Sequence, residues 1–298
     1  MKIICIGHAA YDITLPVDQY PLENTKTRIH QKMECGGGPA SNAAYLLGKW
    51  GSDVSFLGIV GDDIGGHAIR KEFEKVGVLT DYLEISTQYS TPTGYIIVNQ
   101  STGTRTVLTY RQPMQMKEVD VFCEPNFILM DGQEYQMSKK LLKEFPNAIS
   151  VMDAGRVTEE INELSSLCTY LICSKDFAEK ITGMSFDFEK METLQKIYQI
   201  LEEKFHNIIV VTLEEKGCLY KEKGKIQICP SIFVKQVDST GAGDIFHGAF
   251  VYALSKGYPF KEALYLSNVA GALSTEKMGS RHSIPSKTEM RKYIHEFE

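Results

Sequence analysis

The chain has 298 residues, 43% of them hydrophobic, enough to bury one large core or two modest ones. Its 38 acidic and 32 basic side chains leave a net charge of −6 with no strongly basic stretch, which argues against nucleic acid as the main partner. The seven cysteines are scattered, odd in number and without a C-x-x-C pair, so they read as small hydrophobes of a reducing compartment. The apolar start is too short for a signal peptide, and no apolar run approaches the ~20 residues of a membrane helix, so a cytoplasmic protein without a membrane partner is expected.

In chain order, a buried strand is expected at Lys2–Ile6, then an antiparallel ribbon of Ile13–Val17 with Thr25–Glu34 across the turn-rich stretch 18–24. A helix at Ala40–Lys49, a strand at Val54–Ile59 and a helix at Gly66–Lys75 follow. A second ribbon pairs Gly94–Asn99 with Arg105–Tyr110. Beyond it come a strand at Phe127–Met130, a helix at Met137–Glu144, strands at Ile149–Met152 and Tyr170–Cys173, a helix at Thr193–Lys204, a strand at Ile208–Thr212 and a helix at Ile245–Leu254. Strand-then-helix alternation predicts an α/β fold, a mostly parallel sheet with helices on both faces. The ribbons do not belong inside such a sheet and are expected to form a small β lid, contributed by about residues 13–34 and 94–110. With no repeat or linker, residues 1–298 read as one domain.

The strongest signal is Asp238-Ser239-Thr240-Gly241-Ala242-Gly243-Asp244, running directly into the helix that begins near Ile245. Small residues entering a helix leave backbone N–H groups aimed at one point, which suits an anion. Gly241 and Gly243 allow close approach of a ligand. Asp244 falls in the first helical turn, where the helix dipole favours its charged form, so it is expected to be ionised at neutral pH. The bland alternative is a capped helix with a first-turn acid.

The second signal is Gly36-Gly37-Gly38-Pro39-Ala40-Ser41-Asn42. Pro39 suits the first position of a helix running to Lys49 and stopping near Gly51. Asn42 then projects from the first turn with one donor and one acceptor group beside a glycine-lined surface, which suits sugar hydroxyls.

Together, in this order and this far apart, the two strings resemble the two signatures of the ribokinase (PfkB) family of carbohydrate kinases, with features of its ketohexokinase-like members. The resemblance covers nearly the whole chain. It implies a ribokinase-like three-layer α/β/α sandwich with a β lid. It also implies an ATP-dependent phosphotransferase acting on an alcohol group of a small carbohydrate, with Asp244 as general base and Gly241, Ala242 and Gly243 as the anion hole. By the same resemblance Asp12, Gly37, Gly38, Asn42, Asp131 and Arg105 lie on the substrate, and Ser174, Thr212, Gly217 and Asn268 line the ATP site. Asp238 and Ser283, in the Gly279–Ser283 loop, would hold a monovalent cation such as K⁺, while Mg²⁺ arrives with ATP. The family's Asn-x-x-Glu motif is replaced here by Ser174-Lys175-Asp176-Phe177, and Glu214 stands where glycine is common.

Two other nucleotide-binding classes fail on the residues. After the first strand stands Gly7-His8-Ala9-Ala10-Tyr11-Asp12 and not G-x-G-x-x-G, and no Gly-Lys-Ser/Thr follows a glycine-rich loop. The alternatives kept are a nucleoside or sugar-phosphate kinase of the same fold and a non-catalytic sugar-binding regulator. Lys26, Arg28, Lys32 and Arg105 on the expected lid strands leave a phosphorylated or sulfonated sugar open. The apolar lid residues Ile96, Ile97, Val98, Val107 and Leu108 predict a homodimer through the lid.

Overall fold

Strand β1 (Lys2–Ile6) is buried from Ile3 to Ile6, with Ile3 and Cys5 entering one apolar cluster and Ile4 and Ile6 another. A strand buried on both faces must lie in the middle of a covered sheet. The computed structural model, which describes residues 1–295 and Phe297, shows that sheet. Around β1 the chain forms β2 (Ala10–Val17), β3 (Met33–Gly37), α1 (Pro39–Lys49), β4 (Asp53–Gly61), α2 (Ile64–Lys75), β5 (Leu83–Ser86), β6 (Thr93–Asn99) and β7 (Arg105–Tyr110). It continues through β8 (Phe127–Met130), α3 (Tyr135–Glu144), β9 (Ile149–Ala154), α4 (Glu159–Leu167), β10 (Tyr170–Ser174), α5 (Lys175–Thr182) and α6 (Met191–Phe205). The last elements are β11 (Ile208–Thr212), β12 (Cys218–Glu222), β13 (Lys225–Cys229), α7 (Ala242–Ser255), α8 (Phe260–Ser274) and the short α9 (Lys287–Met290).

Nine strands form the main sheet in the order β13-β12-β11-β10-β9-β8-β1-β4-β5. It is parallel from β11 to β5, with β12 and β13 added antiparallel at one edge. One face carries α1, α2, α7 and α8, whose Leu46, Phe73, Phe250 and Leu266 fill the first cluster. The other carries α3 to α6, with Leu141, Leu164, Phe177 and Leu201. Burying such a side chain contributes roughly 1.5–3 kcal/mol, so the two clusters dominate the fold's stability. Among the described residues no helix is long and apolar enough to cross a membrane.

The lid is one four-stranded sheet, β3-β2-β6-β7. The expected pair of separate ribbons is corrected by a parallel ladder from Tyr11–Thr93 to Val17–Asn99, which joins them. The expected strand Thr25–Glu34 is also corrected. The ladder with β2 begins only at Met33, and Lys26, Arg28 and Lys32 lie exposed on the preceding loop or at its end. Their alternating charges have no buried face to supply. On β6, Ile96 and Val98 are buried at 2% and 0% exposure on the side shared with Asp12, Thr14 and Val107, so they do not face water as expected.

Close approach of α1 and α7 sets the site. A methyl group added to Gly248 would stand 3.0 Å from Ala43 Cα, so glycine lets these helices cross this tightly without a shift of either. Pro39 begins α1 and Gly241, at φ 79°, caps the start of α7. Both motif helices thus start at the carboxyl ends of the parallel strands, where ligands of such sheets bind.

Candidate active site

The two glycine strings meet. Asn42 Nδ2 donates to Asp244 Oδ2 at 2.8 Å. Asn42 is 2% exposed, and its Oδ1 has no partner among the described residues. A buried acceptor left open in this way is a place for a hydroxyl donor.

Beside this contact lies a cavity of about 310 Å³, lined by Gly241, Ala242, Gly243, Asp244, Asp131 and Asp153 among others. A larger hollow of about 600 Å³ opens at the opposite, amino ends of the strands, near Lys2, Asp53, Leu79 and Phe122. It touches none of the motif residues, which gather instead around the smaller cavity.

Asp244 does not behave as the helix dipole alone would have it. Burial, and then the charge of Asp153, push it up to about 7, against the Asn42 bond that pulls it down. The expectation of a fully ionised carboxylate is therefore corrected: removal from water outweighs a dipole worth ~0.3–1 kcal/mol. Asp153, at the end of β9, is raised to about 8 by burial and by Asp131. Its Oδ2 lies 3.3 Å from Nδ1 of His247, one turn along α7 from Asp244, and His247 Nδ1 is 2.6 Å from the Gly243 carbonyl. Neither Asp153 nor His247 was found from sequence, although an acid directly after a buried strand, as at Asp131, was a usable signal.

The phosphate-type loop is pinned from below. Asp238 is 1% exposed; its Oδ1 accepts from the N–H and hydroxyl of Thr240, and its Oδ2 from the N–H of Gly279. Among the described residues it has no basic partner, and an unanswered buried carboxylate is costly, so the spot fits a cation. Ser283 turns its hydroxyl onto the Ser280 carbonyl in the same loop. Among the described residues no cluster of three acidic, His or Cys side chains forms a metal site. Asp153 and Asp244, on the cavity wall beside the loop, fit a Mg²⁺ ion that keeps its waters and phosphate oxygens.

The remaining expected residues divide. Asp12 is buried, with its carboxylate boxed by two glycines: methyls on Gly37 and Gly94 would come within 2.0 and 2.6 Å of it. Burial, then Asp244, push Asp12 up to about 7, while Arg281 pulls it back. Arg281, 3% exposed, pairs with Glu72 at 2.6 Å, donates to Ser41 and lies over the Phe73 ring, tying the Gly279–Ser283 loop to α1 and α2. Gly38, at φ 96°, keeps a side chain off the His8 carbonyl. Asp131 accepts from the backbone N–H groups of His8, Ala40 and Gln133, clamping β1, α1 and β8 together at the cavity wall.

On the other side, Ser174 and Thr212 line the cavity from the ends of β10 and β11; Ser174 also caps α5 through Phe177 N–H. Gly217, at φ 94°, lies against the Cys229 carbonyl, and Asn268 donates to that carbonyl at 2.9 Å; both hold the β12–β13 edge rather than opening on the cavity. Arg105 reaches from β7 to Ser239, at the phosphate-loop end. Asp176 is exposed, and Glu214 takes the left-handed φ of 56° that glycine adopts without strain.

The chain matches a known family model, that of the pfkB family carbohydrate kinases, over residues 1–287. A ribokinase of Haemophilus influenzae is 26% identical over 269 residues, covering 87% of each chain. A nucleoside kinase of Methanocaldococcus jannaschii is 24% identical over 297 residues, covering 96% of this chain and 94% of its own. The fold is that of an Arabidopsis thaliana ribokinase complexed with ribose and ATP, at a TM-score of 0.80 and 23% identity over 100% of this chain and 99% of that one. The chain belongs to the PfkB family of carbohydrate kinases.

Proposed function

We propose that the protein transfers the γ-phosphoryl group of ATP to a hydroxyl of a small carbohydrate, with Asp244 as the proton acceptor. The observation that carries this is the Asn42–Asp244 contact at the amino end of α7, where an acid raised to about 7 faces the open cavity beside the loop donors. A base poised near neutral pH suits proton removal. In the transfer, the sugar oxygen bonds to the γ-phosphorus and gives its proton to Asp244. The bond between that phosphorus and the bridging oxygen breaks, and ADP leaves with the electron pair. Backbone N–H groups at Gly241–Gly243 face charge on the moving phosphoryl group. Asn42 Oδ1, Asp12, Gly37, Gly38 and Asp131 serve the sugar side; Ser174, Thr212, Gly217 and Asn268 serve the nucleotide side or hold its walls. Asp153 and Asp244 would hold Mg²⁺, which would supply charge neutralisation on the phosphates.

Two further parts belong to this reading. K⁺ held by Asp238 and the Gly279–Ser283 loop would fix the shape of the anion loop, since Asp238 bonds to both segments. The lid, formed as a continuous four-stranded sheet, would exclude water as a competing acceptor and offer its outer face to a second copy. The deciding experiment is a coupled ADP-release screen over free sugars, sugar acids, sugar phosphates and nucleosides. Sugar-dependent ADP formation is expected. ADP formed with no acceptor across all four classes, or none at all, would remove the kinase reading.

A further inference from the structure

Arg105 and Arg156 line the cavity, and Arg111 stands beside it, bonded to Gln133 of its wall; their surroundings separate them. Arg105 touches Ser239 and belongs with the phosphate loop. Arg156, two residues beyond β9, lines the cavity beside Asp131 and Gln133. Arg111, directly after β7, donates to Gln133 Oε1. Among the described residues, none of the three forms an ion pair with a carboxylate. By contrast Lys26, Arg28 and Lys32 line no part of the cavity.

Arg111 and Arg156 act on one spot. Burial, then Arg111, then Arg156 pull His8 down to about 3, so its imidazole is neutral and its neighbourhood positive. Arg111 itself is held below its usual range by burial, with Arg156 adding to the effect and Asp131 and Glu134 opposing it. Those two acids do not answer the arginines in full. Asp131 already accepts three backbone N–H groups, and Glu134 is pushed up to about 7 by burial. Arg111 and Arg156 are both solvent-exposed and, among the described residues, without an ion pair, and two like charges beside one cavity wall favour the arrival of an anion. The phosphates of ATP have their own donors at Gly241–Gly243, next to Arg105, whereas Arg111 and Arg156 stand by His8, Asp131 and Gln133, the sugar side of the cavity.

We infer that the carbohydrate substrate carries an anionic oxygen-acid group, a carboxylate or a phosphoryl, held by Arg111 and Arg156 while its reactive hydroxyl lies at Asn42 and Asp244. The inference rests on the kinase reading above and narrows it. Guanidinium forks match both groups in shape and charge, and a neutral pentose or hexose would leave them unanswered.

The test compares matched pairs in the ADP-release assay: a ketose against its 2-keto-aldonate for the carboxylate arm, and a ketose against its monophosphate for the phosphoryl arm. Wild type, Arg111→Gln and Arg156→Gln are assayed, with KM for ATP measured for each. The acidic member of one pair is expected to exceed its neutral partner in kcat/KM by about 10²-fold, and the arm in which it does so identifies the group. Each substitution should raise KM for the acidic substrate about 10–100-fold and leave KM for ATP unchanged. Arg156→Lys, which keeps charge but loses the fork, should fall between wild type and Arg156→Gln. Neutral sugars turned over as well as their acidic partners would overturn the inference and leave the kinase intact. So would arginine variants that raise KM for ATP alone. No ADP formation with either member of any pair would instead remove the kinase reading, and the inference with it.

Discussion

Asn42 and Asp244, 202 residues apart in sequence, are joined by one hydrogen bond of 2.8 Å at the crossing of α1 and α7. That contact ties the Gly36–Asn42 string to the Asp238–Asp244 string, and in the proposed reaction it would place one reactant relative to the other. Gly248 against Ala43 leaves the crossing unstrained. Positioning of this kind is most of what phosphoryl transfer requires of a protein.

Asp244→Asn keeps the size and the junction, because an amide can still face Asn42, but removes the proton acceptor. We expect kcat to fall by about 10²–10⁴ with far smaller changes in the KM values. If Asp244 only capped the helix, Asn would serve nearly as well and turnover would survive. A folded variant with near-normal kcat in the ADP-release assay would sink the proposed mechanism.

The pH dependence follows from Asp153 and Asp244, both raised by burial first, with Asn42, His247 and Asp131 as the other groups facing Asp244. The base is active only when deprotonated, so kcat/KM should rise with pH through about 7. Asp153→Asn removes the neighbouring negative charge, so this limb should move to lower pH. The stability sign runs the other way. A raised carboxylate stabilises the fold fully below its unfolded value of about 4 and loses that contribution as pH rises through its folded value. Asp153→Asn should therefore lessen the fall in melting temperature between about pH 4 and 8. An unshifted limb in the pH–rate profile would show that Asp153 does not act on Asp244.

The sheet, the lid's existence and both glycine strings were legible because each is local: apolar runs of four to six residues, or small residues before a helix. The join between β2 and β6 was not, since nothing in either ribbon announces a parallel partner some 80 residues away. The state of Asp244 is hidden from the sequence for a similar reason. The helix dipole is visible in sequence, whereas burial and Asp153 come from the fold. Arg111, Arg156 and Arg281 look like ordinary surface charges until their neighbours are known.

Replacing K⁺ by a large organic cation should lower kcat several-fold at saturating sugar and Mg²⁺-ATP. Asp238 would then keep its bonds to Thr240 and Gly279 but lose the charge that answers its burial. Identical rates in both salts would end the proposal of a cation at this loop.

The outer lid face leaves Tyr95, Leu108 and Tyr110 at 42%, 56% and 51% exposure. Adjacent exposed aromatic and aliphatic residues on a sheet favour covering by a second copy. Light scattering should report a dimer, and Leu108→Lys should shift it toward monomer. A wild-type monomer at assay concentration and above would exclude dimerisation through the lid.

Gly243 separates a ligand requirement from a structural one. It lies in the first turn of α7 with ordinary helical backbone, and a methyl added there meets, among the described residues, no atom within 4 Å beyond its own helix. Neither packing nor backbone conformation therefore demands glycine at this position. Alanine is the better helix former by about 0.8–1.0 kcal/mol, so Gly243→Ala should leave the fold unchanged or slightly more stable. The space it fills, however, is the cavity wall beside Asp244. If the loop carries the phosphates of ATP, the added methyl stands where they must approach the backbone, and KM for ATP should rise at least 10-fold while kcat falls. The expected signature is a melting temperature equal to or above wild type together with lost nucleotide affinity. A stable Gly243→Ala protein with wild-type KM for ATP would show that nothing occupies this loop during turnover, and the anion-hole assignment would fall with it.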